Sequence, residues 1–245
     1  RHFAMESMPL KSSTSDAGSL QADVKTRVWV GVACAVLCIV ASFGILTYVV
    51  IDTQSPVDWN TFGLHPLLMS LAFLVIAPLA AITYRVGEDL LGMPHSVAKS
   101  IHGVLMTFAL LIGALGIADM WNVHSMSASS QTESGYPVHM QSLHSWVGLP
   151  IFLLFGINWL GGLGLFAMSP SLSAASWAAY RKKYAPIHSF TGQFAVYGSL
   201  VAIMLGILSW GYRADSATVV EEKIAGLFVL CLMPALSIVY GYSRQ

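Results

Sequence analysis

Long stretches without charged side chains alternate with short polar segments along this chain. The first runs from Val28 to Ile51 and contains no Asp, Glu, Lys or Arg. A helix needs about 20 apolar residues to cross the hydrocarbon core of a bilayer, and further stretches of this length follow. The sequence therefore predicts six membrane helices, at about 28–51, 64–84, 100–118, 143–167, 187–210 and 224–242.

The composition agrees with a protein that spans the membrane several times. Hydrophobic residues make up 56% of the 245 residues and charged residues only 10%, which is too apolar for a soluble domain of this size. The net charge of zero gives no overall field that would attract nucleic acid. We expect an all-α bundle in which residues 1–26 form a polar cytoplasmic tail and residues 27–245 form the membrane domain.

The orientation in the membrane follows from the distribution of Lys and Arg. All of them except Arg213 and Lys223 fall on the side that carries both predicted termini. Cytoplasmic loops carry an excess of these two residue types. Both termini are therefore predicted to face the cytoplasm, or the equivalent compartment of an organelle, and this side is called the inner side.

Four histidines lie just inside the start of four consecutive predicted helices: His65, His102, His144 and His188. Helices 2 and 4 enter from the outer side, whereas helices 3 and 5 enter from the inner side. His65 and His144 are therefore predicted at an outer level, and His102 and His188 at an inner level. At about 1.5 Å of rise per residue, the two levels should lie very roughly 15 to 20 Å apart.

Two imidazoles at each level suit two haem b groups, each with iron held between two histidines. A single histidine in a membrane helix can instead bond to a neighbouring helix, but four in matched pairs favour ligands. Zinc fits less well, because no cysteine or carboxylate lies where it could complete a tetrahedral set. A residue one turn after each histidine shares its helix face: Met69 and Met106 are interpreted as packing, and Gly148 and Gly192 as space for a flat ring or for a neighbouring helix.

These residues, in this order, resemble the cytochrome b561 family of ascorbate-reducible transmembrane di-haem cytochromes. The resemblance covers about residues 64–210, a cytochrome b561-like core in which helices 2 to 5 hold the haems. The motifs that carry it are His65-Pro-Leu-Leu-Met, Tyr84-Arg85, Lys99-Ser-Ile-His102, Asn122-Val-His124, Ser142-Leu-His144-Ser-Trp, and Arg181 seven residues before a Pro-Ile-His188 segment.

The resemblance implies that the four histidines ligate the two haems in the pairing given above. It also implies an inner ascorbate site formed by Lys99 and Arg181 with Arg85, and an outer substrate site that includes His124. One departure concerns this inner site: family members often carry a second lysine where this chain has His95. Binding of an anion there would then depend on protonation of His95.

The cations make chemical sense without the resemblance. Lys99 and Arg181 precede their helices' histidines by about one and two turns, towards the inner surface. A small anion would find paired positive charges there. Ordinary anchoring at the membrane surface is the alternative, and it suits Lys182 and Lys183 better.

The principal hypothesis is a transmembrane oxidoreductase that passes electrons from cytoplasmic ascorbate through both haems to monodehydroascorbate or a ferric chelate. One alternative is a cytochrome b subunit of a larger complex that exchanges electrons with quinone or a protein partner. Another is a non-catalytic haem-containing scaffold subunit. A homodimer is also open, since Gly161, Gly162 and Gly164 offer a close-packing surface on helix 4, although they could equally face the bundle.

Overall fold

The computed structural model describes residues 14–54, 57–59, 61–129, 139–167, 174–211 and 219–241. These residues form six long helices: α1 Thr14–Gln54, α2 Leu64–Leu91, α3 His95–Ser129, α4 Leu143–Ala167, α5 Ala174–Gly211 and α6 Val219–Gly241. Each contains a segment long and apolar enough to cross a membrane. The prediction of an all-α bundle with six transmembrane helices is confirmed.

The ends of the helices differ from the predicted ends. Helix α4 covers the predicted range, but α1 begins at Thr14, inside the predicted polar tail, whose residues 1–13 lie outside the described part. Helix α3 continues to Ser129, so the predicted loop over 119–141 is wrong for its first half, and 130–138 are not described. These polar extensions are helical because a helix satisfies its own backbone hydrogen bonds in water as well as in lipid.

The start of helix 5 was also predicted too late. Helix α5 begins at Ala174 and passes through Pro186, where the sequence suggested a helix start. A proline within a helix removes one N–H donor, and neighbouring helices can accommodate the loss. Helix α2 shows a related adjustment, because a π-helical stretch at Leu71–Ile76 comes immediately before the segment that contains Pro78.

The helices pack as a four-helix group with a two-helix flank. Helices α2 and α3 pack together, as do α4 and α5. Helix α1 packs along α6, which also contacts α2 and α5. The fully buried residues of the flank include Val49 and Val50 on α1 and Leu232 and Leu236 on α6. Burial of these aliphatic side chains holds α1 and α6 against one side of α2–α5.

A cluster of phenylalanines fills the middle of the four-helix group. Phe73 on α2 is buried, with its ring centroid 6.1 Å from that of Phe152 and 5.2 Å from that of Phe155, both on α4. The rings meet edge to face, which is a favourable aromatic geometry. Gly113 on α3 makes room for this cluster, because a Cβ there would lie 2.7 Å from the Phe73 ring.

Candidate functional site

The outer pair, His65 and His144, brings together the first turns of α2 and α4. The two imidazole centroids are 6.0 Å apart and the ring planes are nearly perpendicular, at 88°. Helix α4 starts at this point because Ser142 caps it: the Ser142 Oγ accepts a hydrogen bond from the Ser145 backbone N at 3.2 Å. The cap places His144 in the first turn of the helix, level with His65.

This separation has the size that a shared metal ion requires. Imidazole nitrogen binds a transition metal at about 2 Å, so two nitrogens on opposite sides of one ion lie about 4 Å apart and their ring centres about 6 Å apart. The observed 6.0 Å agrees with that value. The distance between the two rings is therefore compatible with one metal ion shared by the outer pair.

The inner pair consists of His102 on α3 and His188 on α5. The two imidazoles are close enough for their charges to interact. Each ring also contacts an aromatic side chain: the centroid of Tyr84 is 5.1 Å from that of His102, and the centroid of Phe166 is 5.5 Å from that of His188. The structure thus places the two predicted inner histidines near each other, and each contacts one aromatic ring.

Three of the four histidines are oriented by a backbone carbonyl on a neighbouring helix. A carbonyl oxygen can only accept, so the Nδ1 atom must carry the proton and Nε2 is left as the electron-pair donor. Fixing one ring nitrogen in this way is what orients a metal-bound histidine. The bonds are His65 Nδ1 to Gly116 O at 2.8 Å, His144 Nδ1 to Ala202 O at 2.7 Å, and His102 Nδ1 to Ala80 O at 3.1 Å.

His188 is held less firmly by hydrogen bonding than the other three. Its buried Nδ1 atom makes no hydrogen bond of standard geometry among the described residues, although the Asn158 backbone carbonyl on α4 lies close enough to interact with the ring. The ring also rests on the backbone of α4 at Gly162, where an added Cβ would lie 2.7 Å from Cε1 of the imidazole. Contact with a glycine therefore helps to position this ring.

Two other glycines, Gly148 and Gly192, were interpreted from the sequence as space for a flat ring or for a neighbouring helix. A Cβ at these positions would lie near Ala202 and Asn158, each on the neighbouring helix, which agrees with helix packing. Among the described glycines, those next to imidazoles are Gly162 and Gly206, and a Cβ at Gly206 would lie 3.2 Å from the His144 ring. Each lies on a helix other than the one that carries its histidine, a relation that spacing along the sequence does not reveal.

The two pairs lie at different levels of the bundle. On α2, His65 bonds to α3 at one level, and the carbonyl of Ala80 accepts the bond from His102 at the other. These two α2 residues are separated by fifteen positions, about 22 Å at 1.5 Å per residue. Phe73 and its aromatic neighbours lie between the two levels.

The three predicted cations at the inner level lie on three different helices. The Lys99 Nζ on α3 lies 5.9 Å from the centre of the Phe166 ring, which in turn contacts His188. Arg181 is half-buried on α5, seven residues before His188. Arg85 is also half-buried, and its Nη2 donates to the Tyr240 carbonyl at 2.8 Å, which ties α2 to α6. Lys99 is thus connected to an inner histidine through one aromatic ring.

His124 lies beside the outer pair, within range for electrostatic interaction with His65. Its ring centroid is 5.7 Å from that of His139, which stacks on Trp121 at 3.9 Å with the planes 9° apart. The Ser125 hydroxyl lies 3.4 Å from His139 Nε2. This contact between His139 and His124 was not predicted from the sequence.

The ligand sets limit which group could be bound. The described residues contain no group of three or more His, Cys, Asp or Glu side chains placed to hold a metal ion. Each site therefore offers two imidazoles, and any further ligands must come from the bound group itself. A porphyrin supplies four nitrogens in one plane and leaves two axial positions for imidazole, so the residues present fit a haem.

Comparison with known proteins gives an independent result. The sequence profile described as eukaryotic cytochrome b561 matches residues 64–212, more than half of the chain. This range begins one residue before the first paired histidine and extends past the last one, so it contains both pairs.

Individual relatives cover the same region. The chain is 29% identical over 177 residues to the transmembrane ascorbate-dependent reductase CYB561 of Homo sapiens, covering 69% of this chain and 64% of that protein. It is 33% identical over 150 residues to the probable ascorbate-specific transmembrane electron transporter 1 of Oryza sativa subsp. japonica, covering 60% and 56%. It is also 33% identical over 147 residues to the ascorbate-specific transmembrane electron transporter 2 of Zea mays, again covering 60% and 56%. The matched region thus spans less than two thirds of the length of each of these relatives.

Proposed function

Because this chain belongs to the eukaryotic cytochrome b561 family, we propose that it is a transmembrane ascorbate-dependent oxidoreductase. Ascorbate on the cytoplasmic side gives up single electrons, which pass through the bundle to an acceptor on the opposite face. The names of the relatives, an ascorbate-dependent reductase and two ascorbate-specific electron transporters, support the donor and the transmembrane route. Monodehydroascorbate and a ferric chelate are the acceptors that suit this chemistry.

The proposal assigns one haem b to each pair, with His65 and His144 as axial ligands on the outer side and His102 and His188 on the inner side. The observation that carries it is the outer pair, whose rings lie 6.0 Å apart with both Nδ1 atoms bonded to backbone carbonyls. Haem iron supplies reversible one-electron chemistry when it is bound. The chain supplies ligation, orientation and an apolar surrounding.

Ascorbate is assigned to the inner surface, where Lys99 and Arg181 provide positive charge. Ascorbate is an anion at neutral pH, so charge-assisted hydrogen bonds from these side chains would hold it near the inner pair. The contact of Lys99 with Phe166, which touches His188, supports this assignment. Arg85, near the C-terminal end of α2, adds positive charge on the same side of the bundle, and its bond to the Tyr240 carbonyl limits its motion.

The outer substrate is assigned to the neighbourhood of His124, which lies beside the outer pair. The polar segment 1–26 and both termini are placed in the cytoplasm, with residues 27–245 as the membrane domain, because Lys and Arg concentrate on that side. The membrane lipid then surrounds the many exposed apolar residues, such as Leu37, Val40 and Ile157.

The test uses the full chain purified with its haem. Haem content per chain is measured from the pyridine haemochrome spectrum, and ascorbate is then added anaerobically while the visible spectrum is recorded. We expect two haems per chain and b-type bands that appear on addition of ascorbate. A ferric chelate trapped inside proteoliposomes should then be reduced by external ascorbate.

Two results would contradict the proposal. Haem that stays oxidised with ascorbate but is reduced by quinol would indicate a membrane subunit of a quinone-linked complex. Reduction by ascorbate that does not change in Lys99→Ala and Arg181→Ala variants would place the donor elsewhere. In a separate experiment, an oxidase inside the vesicles generates monodehydroascorbate. Comparison of its reduction by external ascorbate with that of the trapped ferric chelate distinguishes the two acceptors.

A further inference from the structure

The turn between α2 and α3 folds His95 back onto α2. Helix α2 ends at Gly92, which adopts φ 63°, a left-handed conformation that glycine accepts without strain. The Gly92 N–H donates to the Glu88 carbonyl at 3.1 Å, and Met93 N–H donates to Gly87 at 3.0 Å. The new helix starts only three residues later, so His95 arrives next to the last turn of α2.

His95 forms an ion pair with Glu88 in this turn. The imidazole Nδ1 lies 3.2 Å from Oε1 of Glu88, and the side chain of His95 remains about half exposed, at 52%. A carboxylate on Nδ1 fixes the tautomer of a neutral imidazole, so that Nε2 carries the electron pair. The carboxylate also stabilises the imidazolium that forms when Nε2 takes a proton.

The position of His95 relative to the inner pair matches that of Lys99. The His95 ring centroid is 6.0 Å from that of Tyr84, whose ring lies 5.1 Å from that of His102. Lys99, one turn further along α3, lies 5.9 Å from the ring of Phe166, which lies 5.5 Å from that of His188. Each inner histidine is thus covered by one aromatic ring and one basic side chain, and both basic side chains share a face of α3.

We propose that His95, oriented by Glu88, is the base that accepts the proton of ascorbate at the inner surface. The inference rests on the proposed function, since it needs ascorbate as the donor. Lys99 and His95 would then divide two tasks: Lys99 binds the anion by charge, and His95 removes its proton. A protonated lysine cannot act as a base, whereas a neutral imidazole can accept a proton at its free ring nitrogen.

The step is balanced as a transfer of one proton and one electron. The O–H bond of the ascorbate monoanion breaks and its proton passes to Nε2 of His95. One electron would leave the same molecule for a haem held by His102 and His188, whose ferric iron would serve as the one-electron oxidant, and the monodehydroascorbate radical anion would depart. His95 then releases its proton to water on the same face, because its side chain is half exposed.

Charged and titratable groups lie around His95. Glu88 and Tyr84 face it from α2, and Lys99 follows it on α3. A base accepts a proton only in its unprotonated form, so the rate of ascorbate oxidation should rise with pH.

The test is stopped-flow reduction of the purified, haem-loaded protein, for the wild type and for His95→Gln, Glu88→Gln and Asp89→Asn. Asp89 is the adjacent exposed acid on α2, so its variant controls for lost surface charge. Reduction by ascorbate is followed from about pH 5.5 to 8 in H2O and in D2O. Reduction by hexaammineruthenium(II), which transfers an electron without a proton, is followed in parallel.

We expect His95→Gln to slow reduction by ascorbate at least about tenfold at saturating donor, the lower end of what a lost general base costs. The variant should also lose the rise with pH and the wild-type solvent isotope effect, while reduction by hexaammineruthenium(II) stays unchanged. Glu88→Gln, which removes the carboxylate that orients Nδ1 of His95, should also slow reduction by ascorbate, and Asp89→Asn should behave as wild type.

Three results would overturn the inference. An unchanged pH profile and isotope effect in His95→Gln would show that the proton goes elsewhere. Equal slowing with both reductants would indicate a structural defect. If the wild type is not reduced by ascorbate at all, the proposed function fails and the inference fails with it, whereas the first two results leave the proposed function intact.

Discussion

The outer and inner histidine pairs differ in how the protein positions them. Both outer imidazoles donate Nδ1–H to a backbone carbonyl, at 2.8 and 2.7 Å. In the inner pair His102 does so at 3.1 Å, while Nδ1 of His188 makes no bond of standard geometry and its ring lies against Gly162 and close to the Asn158 carbonyl. Two aromatic rings and two basic side chains cover the inner pair.

The difference separates two ways to tune the same ligand type. A hydrogen bond from Nδ1–H makes imidazole a stronger electron-pair donor to a metal and fixes the orientation of the ring. Both histidines of the outer site are constrained in these two ways. His188 combines steric contact with Gly162 and a weaker approach to the Asn158 carbonyl, so its Nδ1 atom should receive less of this electronic effect. The iron proposed for the inner site could therefore have a different ligand field from the iron proposed for the outer site. The inner site is also the one next to the proposed ascorbate-binding surface.

The largest effect should come from removing a ligand. His144→Ala is expected to abolish haem binding at the outer pair and to leave the inner haem reducible by ascorbate, because the levels are separated by the Phe73 cluster. His188→Ala should instead remove the inner haem and slow reduction of the outer one. Haem content and the ascorbate-reduced spectrum check this, with Met69→Leu as a control expected to retain both haems. Loss of both haems in each variant would show that the sites do not bind independently.

The steric control of His188 can be tested with adjacent glycines. Gly162→Ala places a methyl group 2.7 Å from the imidazole, whereas Gly161→Ala meets no heavy atom within 4 Å. We expect Gly162→Ala to weaken haem binding at the inner site about 10- to 100-fold, the usual cost of disturbing a group that orients a metal ligand. Gly206→Ala, at 3.2 Å from His144, should have a smaller effect on the outer site. Haem titration of the apo-protein measures all three, and equal affinities for Gly162→Ala and Gly161→Ala would refute the steric account.

The charge on the inner surface should affect the donor and leave the haems in place. Lys99→Ala is expected to raise the KM for ascorbate about tenfold, since a hydrogen bond to a charged group contributes roughly 1.5 to 3 kcal/mol. Lys182→Ala, an exposed lysine on α5, is the matched control and should leave the KM unchanged. High salt should reduce the difference between them. A similar KM for both variants would indicate that only the general positive charge of the surface matters.

The smallest effect concerns the helix that carries His144. Ser142→Ala removes the side chain that caps α4 by accepting from the Ser145 N–H, which should cost about 1 kcal/mol of helix stability. We expect slightly lower thermal stability in detergent and earlier loss of the outer haem on heating, with the inner haem retained. Release of both haems at one temperature would show that the cap does not act selectively on the outer pair.

The membrane-embedded part of the fold was accessible from the sequence. Charge is costly in hydrocarbon, so the uncharged stretches mark the six spans, and for α4 they even give the ends, Leu143 and Ala167. The uncharged stretches do not indicate where a helix ends once it has left the membrane. This is why the helical residues beyond Ala118 on α3 and before Pro186 on α5 were predicted as loops.

The histidine sites were also predictable only in part. The level of each histidine could be predicted from its distance to the start of its helix, because alternate helices run in opposite directions. The contacts that orient the rings come from other helices: Gly116 bonds to His65, and Gly162 contacts His188. Such partners depend on the rotation of one helix against another, which hydrophobic periodicity does not define when every face of a helix is apolar.

The phenylalanine cluster between the two levels has a consequence for the voltage across the membrane. Aromatic packing around Phe73 occupies the space between the two levels, and an electron can tunnel across it. Under the proposed function, every turnover would then carry one uncompensated negative charge across the bilayer. The resulting voltage would oppose the next transfer by about 2.3 kcal/mol per 100 mV, so sustained turnover would need a separate ion conductance in the same membrane to discharge it.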